Sequence, residues 1–298
     1  MVNSYILKHE YYKYDEWEKV YTKYLEMLYE SSQDLEMLYD PYNDPDAMAT
    51  MNAGFYNDLA SFLNTQEKRV LNGKWEYKAI FGDKAENYGI QVYENKEILF
   101  VLFSDQFGFS APDRKHPYDY YVKLAKAISE DRYKEVISNV VEWVFNTRSI
   151  GGSFLWPRQV QEYNLKRGGS EKRSSYIQDR VDLTLLEIKH FYDEHNNKPD
   201  EHKNKTDILY PFWDKEDLKL FFEHFGSFDT YIKFFMMEDF VDGGMPIDII
   251  TGERLTDNDV KRYIDRKDTI FTPEIDKVER MLSNVNSLIV ARTNKMQP

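Results

Sequence analysis

Glycine, arginine and aspartate fall at close spacing in one stretch of the chain, residues 148–192. It opens Arg148-Ser149-Ile150-Gly151-Gly152-Ser153-Phe154-Leu155-Trp156-Pro157-Arg158 and passes through a polar insert containing Asn164, Arg167 and Gly168. It then runs Ile177-Gln178-Asp179-Arg180-Val181-Asp182-Leu183-Thr184-Leu185. These residue types fit an anion or phosphate site. Gly151 and Gly152 would offer backbone N–H groups at close approach, and Arg148 and Arg158 would hold oxyanions in planar forks. Asn164 and Arg167 complete the candidate substrate-binding set. Asp179, Asp182 and Arg180 are the candidate catalytic residues, with Asp179 or Asp182 binding a divalent metal or acting as a base. The cofactor is left open, and a divalent metal is the one this chemistry admits. The alternative is a buried ion-pair lattice that fixes a helix to the Gly-Gly strand, since structural networks perturb charges as catalytic sites do.

The elements that must position these groups are legible nearby. Ile150–Trp156 is too short and too glycine-led for a helix, and Phe154-Leu155-Trp156 reads as a short buried strand stopped by Pro157. Ile177, Val181, Leu185, Ile188 and Tyr192 line one face of a helix, while Asp179, Asp182, Leu183 and Leu186 project to the opposite side. A helix apolar on both sides is buried, so each aspartate requires a partner; Arg148, Arg158 and Arg180 are nearest in sequence. Between 148 and 180 there are seven Lys and Arg against three acids, about +4 on a chain of net charge −13. That local reversal of sign faces either an anionic ligand or the protein's own acidic arm.

Around this stretch the chain reads as an α+β protein, mainly helical with a small antiparallel sheet of about three to four strands. A helical pattern from Tyr12 to Tyr29 leads to a turn at Asp40–Asp46, and Asp44 or Asp46 caps a second helix ending near Leu63. Residues 1–70 hold 13 acids against 6 basic residues, so residues 1–72 are taken as an acidic helical arm and 73–298 as a mixed α/β core with a helical C-terminal half, one continuous domain being the alternative. Trp75 to Ile80, Tyr88 to Tyr93 and Ile98 to Phe103 read as a meander, the last being the central strand, with turns at Gly82-Asp83-Lys84 and Glu94-Asn95-Lys96. Helices are expected at 118–128 and 131–145, and His195 to Asp207 is an exposed polar loop. Leu218, Phe221, Phe222 and Phe225 form a stripe that Gly226 ends. Phe228, Tyr231, Ile232 and Phe235 form the next, Asp242-Gly243-Gly244-Met245-Pro246 is a break, and a last helix runs from about Pro273 through Ile289.

Composition narrows the function classes. With no cysteine, disulfides, thiol nucleophiles and Cys-bound zinc are excluded. No short apolar leader opens the sequence and no apolar run spans a bilayer, so a cytoplasmic, non-membrane protein of a microbe, or of something replicating in one, is expected. The acidic charge repels nucleic acid except at the local basic patch. HExxH, GxSxG and P-loop patterns are absent. His190 and His195 lack the spacing of a helical metal pair, and Asp40–Asp46 lacks the glycine and glutamate of a calcium loop.

The order Ile150-Gly151-Gly152-Ser153-Phe154-Leu155-Trp156-Pro157, then Asn164 with Arg167-Gly168, then Ile177, Asp179-Arg180 and Asp182-Leu183-Thr184-Leu185, resembles a family of bacterial and prophage-carried proteins classed as a domain of unknown function. Phe225-Gly226-Ser227-Phe228-Asp229-Thr230-Tyr231, Phe234-Phe235 and Asp239-Phe240-Val241 look like its second signature. The resemblance covers roughly residues 145–295 and leaves the acidic arm unmatched. It implies one structural unit over 148–240 and no activity.

Two functional readings follow. The first is an interaction protein, phage- or defence-associated in a host–phage conflict, that binds a basic protein partner through its acidic aromatic arm. The second is an enzyme on a phosphorylated or nucleic-acid substrate at the basic Gly-Gly, Arg and Asp site.

Overall fold

The β-patterned runs between Trp75 and Phe103 do pair, and the sheet they start is where the helices gather. A computed structural model describes residues 53–80, 89–106, 146, 149–159, 181–197, 216–249, 251–256 and 275–296. The expected helices at 12–29, 118–128 and 131–145 (its end at Asn146 apart), the turns at 40–46 and 82–84, the loop residues 198–207 and Pro273 lie outside the described residues.

Helix α1, Ala53–Val70, precedes strands β1, Glu76–Ile80, β2, Gly89–Glu94, and β3, Glu97–Gln106; β4, Ser153–Gln159, completes a four-stranded antiparallel sheet in the order β1-β2-β3-β4. The β2–β3 hairpin turns at Asn95 and Lys96, with φ of 52° and 71°. Two successive positive φ values give the twist that a two-residue hairpin needs. The continuous apolar run of β3 sits between β2 and β4, and Phe100, Val101 and Leu102 are fully buried, as expected of a central strand. Tyr77 lies opposite Val92, and Val92 opposite Phe100.

Pro157 does not stop its strand. β4 continues to Gln159, with Pro157 paired to Leu102. Among the described residues β4 is an outer strand, paired on one side only, and an outer strand tolerates a residue without an N–H. The Ser153 carbonyl points away from β3, where it accepts from Arg292. Pro157 has the same parity, so its missing donor falls on the unpaired edge.

The helices bury the stripes their spacing marked. Helix α2, Val181–Asn197, turns Val181, Leu185, Ile188 and Tyr192 into the main core, and its other side packs Leu183 and Leu186 on Leu255. Two-sided burial is thus what the sequence pattern predicted. α2 runs past His195 to Asn197. Helix α3, Glu216–Phe225, ends at Gly226, whose φ of +70° suits glycine. Ser227 then caps α4, Phe228–Phe234, its Oγ accepting the Thr230 N–H at 3.1 Å. The α3 and α4 stripes meet as an aromatic cluster in which Phe225 lies 4.9 Å from Phe234 and Tyr231 lies 4.8 Å from Phe235. The predicted break is a short hairpin, β5 Val241–Asp242 and β6 Met245–Pro246, turning on Gly243 and Gly244 at φ of 57° and 78°. Helix α5, Ile275–Met296, closes the chain's described part and reaches about two turns beyond Ile289.

The helix ending expected near Leu63 instead continues to Val70. Tyr56, Leu59 and Leu63 join the same core cluster as the sheet and α2 to α5. Residues 53–70, drawn with the acidic arm on charge, are packed as core.

Candidate functional site

The Gly-Gly turn is a joint between the sheet and α5. Ser149 begins a single 3₁₀ turn, Ile150–Gly152, its Oγ accepting the Gly152 N–H at 3.3 Å while its carbonyl accepts the same N–H at 3.0 Å. Ser149 Oγ also lies 2.9 Å from Thr293 Oγ1 of α5. A Cβ built on Gly151 would stand 2.5 Å from the Thr293 backbone nitrogen and 2.7 Å from the Ile289 carbonyl oxygen. Only a residue without a side chain lets α5 come this close. Arg292, one residue before Thr293, is buried and donates to three carbonyls: Gly151 at 2.7 Å, Ser153 at 2.8 Å and Phe235 at 2.8 Å. Burial brings its guanidinium down to about pKa 10, against the opposing influence of Tyr231 and Glu238. The cation therefore persists at neutral pH, held by carbonyl dipoles.

Asp182 is 1 % exposed at the start of α2. Its Oδ1 accepts the Leu183 N–H at 2.9 Å and its Oδ2 the Ile249 N–H at 3.0 Å. Asn284 of α5 donates to the Ile249 carbonyl at 3.0 Å. Both backbone groups of Ile249 are thus satisfied by side chains, so Asp182 and Asn284 together pin the segment after β6 between α2 and α5.

Of the residues the sequence singled out, the structure places Gly151, Gly152 and Asp182, each buried and each bonded within the fold. Gly151 docks against α5 and Asp182 holds the segment at Ile249. Arg158 lies in β4 opposite Val101, its side chain outside the described atoms. Arg148, Asn164, Arg167, Asp179 and Arg180 lie outside the described residues. Among the described residues no three His, Asp or Glu side chains gather as a metal centre would require, and no helix is long and apolar enough to cross a membrane.

A second constellation escaped sequence reasoning. Glu67, near the end of α1, is 1 % exposed at its side chain. Its Oε1 accepts the backbone N–H groups of Lys74 at 3.1 Å and Trp75 at 3.2 Å. Its Oε2 accepts the Tyr77 hydroxyl at 2.9 Å and lies 2.9 Å from His224 Nε2. Burial is the largest influence on this carboxyl and pushes it up, but the His224 hydrogen bond, the attraction of the imidazole whenever it is protonated, the Trp75 N–H and the Tyr77 hydroxyl together hold it below the usual glutamate range. An ionised carboxylate only accepts, so Nε2 of His224 carries the proton. Burial, then the charge and hydrogen bond of Glu67, push the Tyr77 phenol well up, so it stays a donor. The His224 ring stacks on Trp75, centroids 3.4 Å apart and planes 6° off parallel. One carboxylate thus ties the end of α1, the start of β1 and the end of α3.

The missed residues carried a signal. Tyr56, Leu59, Leu63 and Glu67 fall at steps of three and four, so Glu67 continues the buried stripe of α1. Ile289, Arg292, Thr293 and Met296 continue the stripe of α5 in the same way. A polar residue in register with an apolar face is buried and must be partnered.

Fold and site define an α+β protein whose antiparallel sheet is bounded at both outer strands by hydrogen-bonding side chains from helices. The chain belongs to the Family of unknown function (DUF6994), whose family model matches residues 91–296. Comparisons with curated proteins and with solved structures return no match. The family match begins inside β2, upstream of the start near residue 145 that the motifs implied, so the family unit includes strands of the sheet.

Proposed function

We propose that the protein works by binding, engaging a basic partner protein through the acidic aromatic arm that precedes α1. One observation carries this reading over the enzymatic one. Gly151, Gly152 and Asp182, the members of the sequence-nominated site whose contacts are described, are spent on holding the fold. A glycine N–H bonded to Ser149 and a carboxylate bonded to Ile249 are not presented to a ligand. The charge remains: residues 1–52 hold eleven acids and four basic residues, which favours long-range attraction to a cationic surface. The setting this implies is the cytoplasm, in a phage–host conflict where a nucleic-acid-binding surface would be the natural target.

The test is calorimetric titration of the full chain with polylysine across a salt series. Binding is expected at low salt, falling steeply as ionic strength rises, and weakened by reversing Asp15, Glu16 and Glu18 to lysine. Equal affinity in the charge-reversed variant would sink the proposal.

The locally basic segment 148–180 keeps the second reading in view: a phosphorylated or nucleic-acid substrate held at Arg148, Arg158, Asn164 and Arg167, with Asp179 and Arg180 in the chemistry. Under it, replacing Arg148 and Asp179 removes turnover and leaves Tm near that of the wild type; a large fall in Tm would instead mark an ion-pair lattice.

A further inference from the structure

The Glu67–Tyr77–His224 cluster is independent of both readings above. Burying a carboxylate beside an imidazole carries a desolvation cost that only well-made geometry offsets, and an apolar pair would close the same seam between α1 and α3. Every feature here instead fixes the imidazole. Glu67 is held by four donors, two on each oxygen. His224 is held by Glu67 at Nε2 and by Trp75 on one face. The His224 side chain keeps 8 % of its surface accessible, against 1 % for Glu67. The accessible part of the ring is therefore small, and Nδ1, which makes no hydrogen bond among the described residues, is not sealed from solvent. Gly73 and Gly226, in the turns that end α1 and α3, leave open space at their α-carbons. Beside the imidazole, the buried indole N–H of Trp75 makes no hydrogen bond among the described residues. Such a donor is costly to leave unmade; sealed as it is, it belongs to the packed wall against which the imidazole stacks.

We propose that His224 is a nucleophilic or proton-accepting centre for a small neutral acyl compound, and that Glu67 is its positioning residue, fixing the Nε2-protonated tautomer so that Nδ1 presents its lone pair at the protein surface. With an activated ester the Nδ1 lone pair bonds to the acyl carbon, and the carbon–oxygen bond breaks with its electron pair leaving on the phenolate. The Nε2 proton passes to Glu67 or to water, giving a neutral acylimidazole. Water then cleaves the new N–C bond, releasing the carboxylic acid and returning the imidazole. This is the carboxylate–imidazole logic by which a base is held in one orientation.

The experiment treats the full chain with p-nitrophenyl acetate and locates the acetyl groups by mass spectrometry. The chain has six histidines, so five serve as internal controls. His224 is expected to be acetylated at least about tenfold faster than any other, with His224→Gln abolishing the fast release of p-nitrophenolate. A His224 rate equal to or below that of the other five, measured in the wild type and thus free of any folding defect, overturns the proposal. For Glu67, imidazole ¹⁵N spectra are expected to show the single Nε2-protonated tautomer in the wild type and a mixture in folded Glu67→Gln, with acetylation at His224 falling at least about tenfold. Unchanged tautomer and rate in that variant would remove Glu67 from the mechanism.

Discussion

At Gly151 a side chain is excluded because a helix backbone occupies its place. The Thr293 nitrogen and Ile289 carbonyl at 2.5 and 2.7 Å from a built Cβ cannot rotate away as a side chain could. Gly151→Ala must push α5 off the sheet, and overpacking of this kind costs about 1–3 kcal/mol. Urea unfolding should show the lower midpoint, and an unchanged midpoint would mean that α5 does not lie where it is placed. At Glu67 the sign of the pH effect follows from its lowered folded-state pKa. The stabilisation is fully present above the unfolded value, near 4.5, and is lost as pH falls through the lower folded value. Glu67→Gln should lose about 1.5–3 kcal/mol at pH 7, the typical worth of hydrogen bonds to a charged group, and show a flatter fall between pH 5 and pH 3 than the wild type. Parallel stability curves over that range would contradict the lowered pKa.

At the scale of elements, the open question for any small sheet is what covers its outer strands. β1 is covered by α1: Asn64 Oδ1 accepts the Tyr77 N–H at 3.0 Å and its Nδ2 donates to the Tyr77 carbonyl at 2.8 Å. The side-chain amide does what a neighbouring strand's peptide would do, and Glu67 repeats the device one turn on, at Trp75. At β4 the device is Arg292 on the Ser153 carbonyl, with Pro157 removing a donor further along. Asn64→Leu keeps volume and leaves both Tyr77 backbone groups unpaired. It should cost about 1–3 kcal/mol for each group left buried and unmade, measured by chemical denaturation. It should also raise self-association in sedimentation at high concentration; a monomer as stable as the wild type would show that the edge needs no cover.

For the molecule as a whole, the family match and the folding unit have different limits. The match starts at residue 91, inside β2, and so omits α1 and β1. Yet Phe55, Tyr56, Leu59, Leu63, Trp75 and Tyr77 are in the main core, and Glu67 meets His224 across 157 residues. A fragment of residues 91–298 should therefore lack cooperative unfolding and expose apolar surface to dye binding, whereas 53–298 should retain a sharp transition. A cooperative 91–298 fragment would place α1 and β1 outside the folding unit.

Much of the fold was legible because its signals are local. The period of α2, the apolar run of β3, the Gly226 stop and the aromatic stripes of α3 and α4 each lie within one element, where backbone period decides which side chains face inward. The errors fell where a tertiary partner overrides a local rule. Pro157 reads as a stop until β4 is seen to be an outer strand. Leu63 reads as a helix end until the sheet beside α1 extends it to Val70. The acidity of residues 1–70 groups α1 with the arm by charge, while its buried stripe packs in the main core.

The sequence by itself determined the α+β class, the inward faces of the helices, the membership of Ile98–Phe103 in the sheet centre, and that Gly151-Gly152 permits a close approach. It could not say what approaches. Gly151 meets α5 from 138 and 142 residues away, at Ile289 and Thr293, Asp182 meets Ile249, and Glu67 meets His224. Hydrogen bonds and close packing act over a few ångströms in space, without regard to distance along the chain. Only the tertiary structure sets Gly151 against α5, Asp182 against Ile249 and the Glu67 carboxylate against the His224 imidazole.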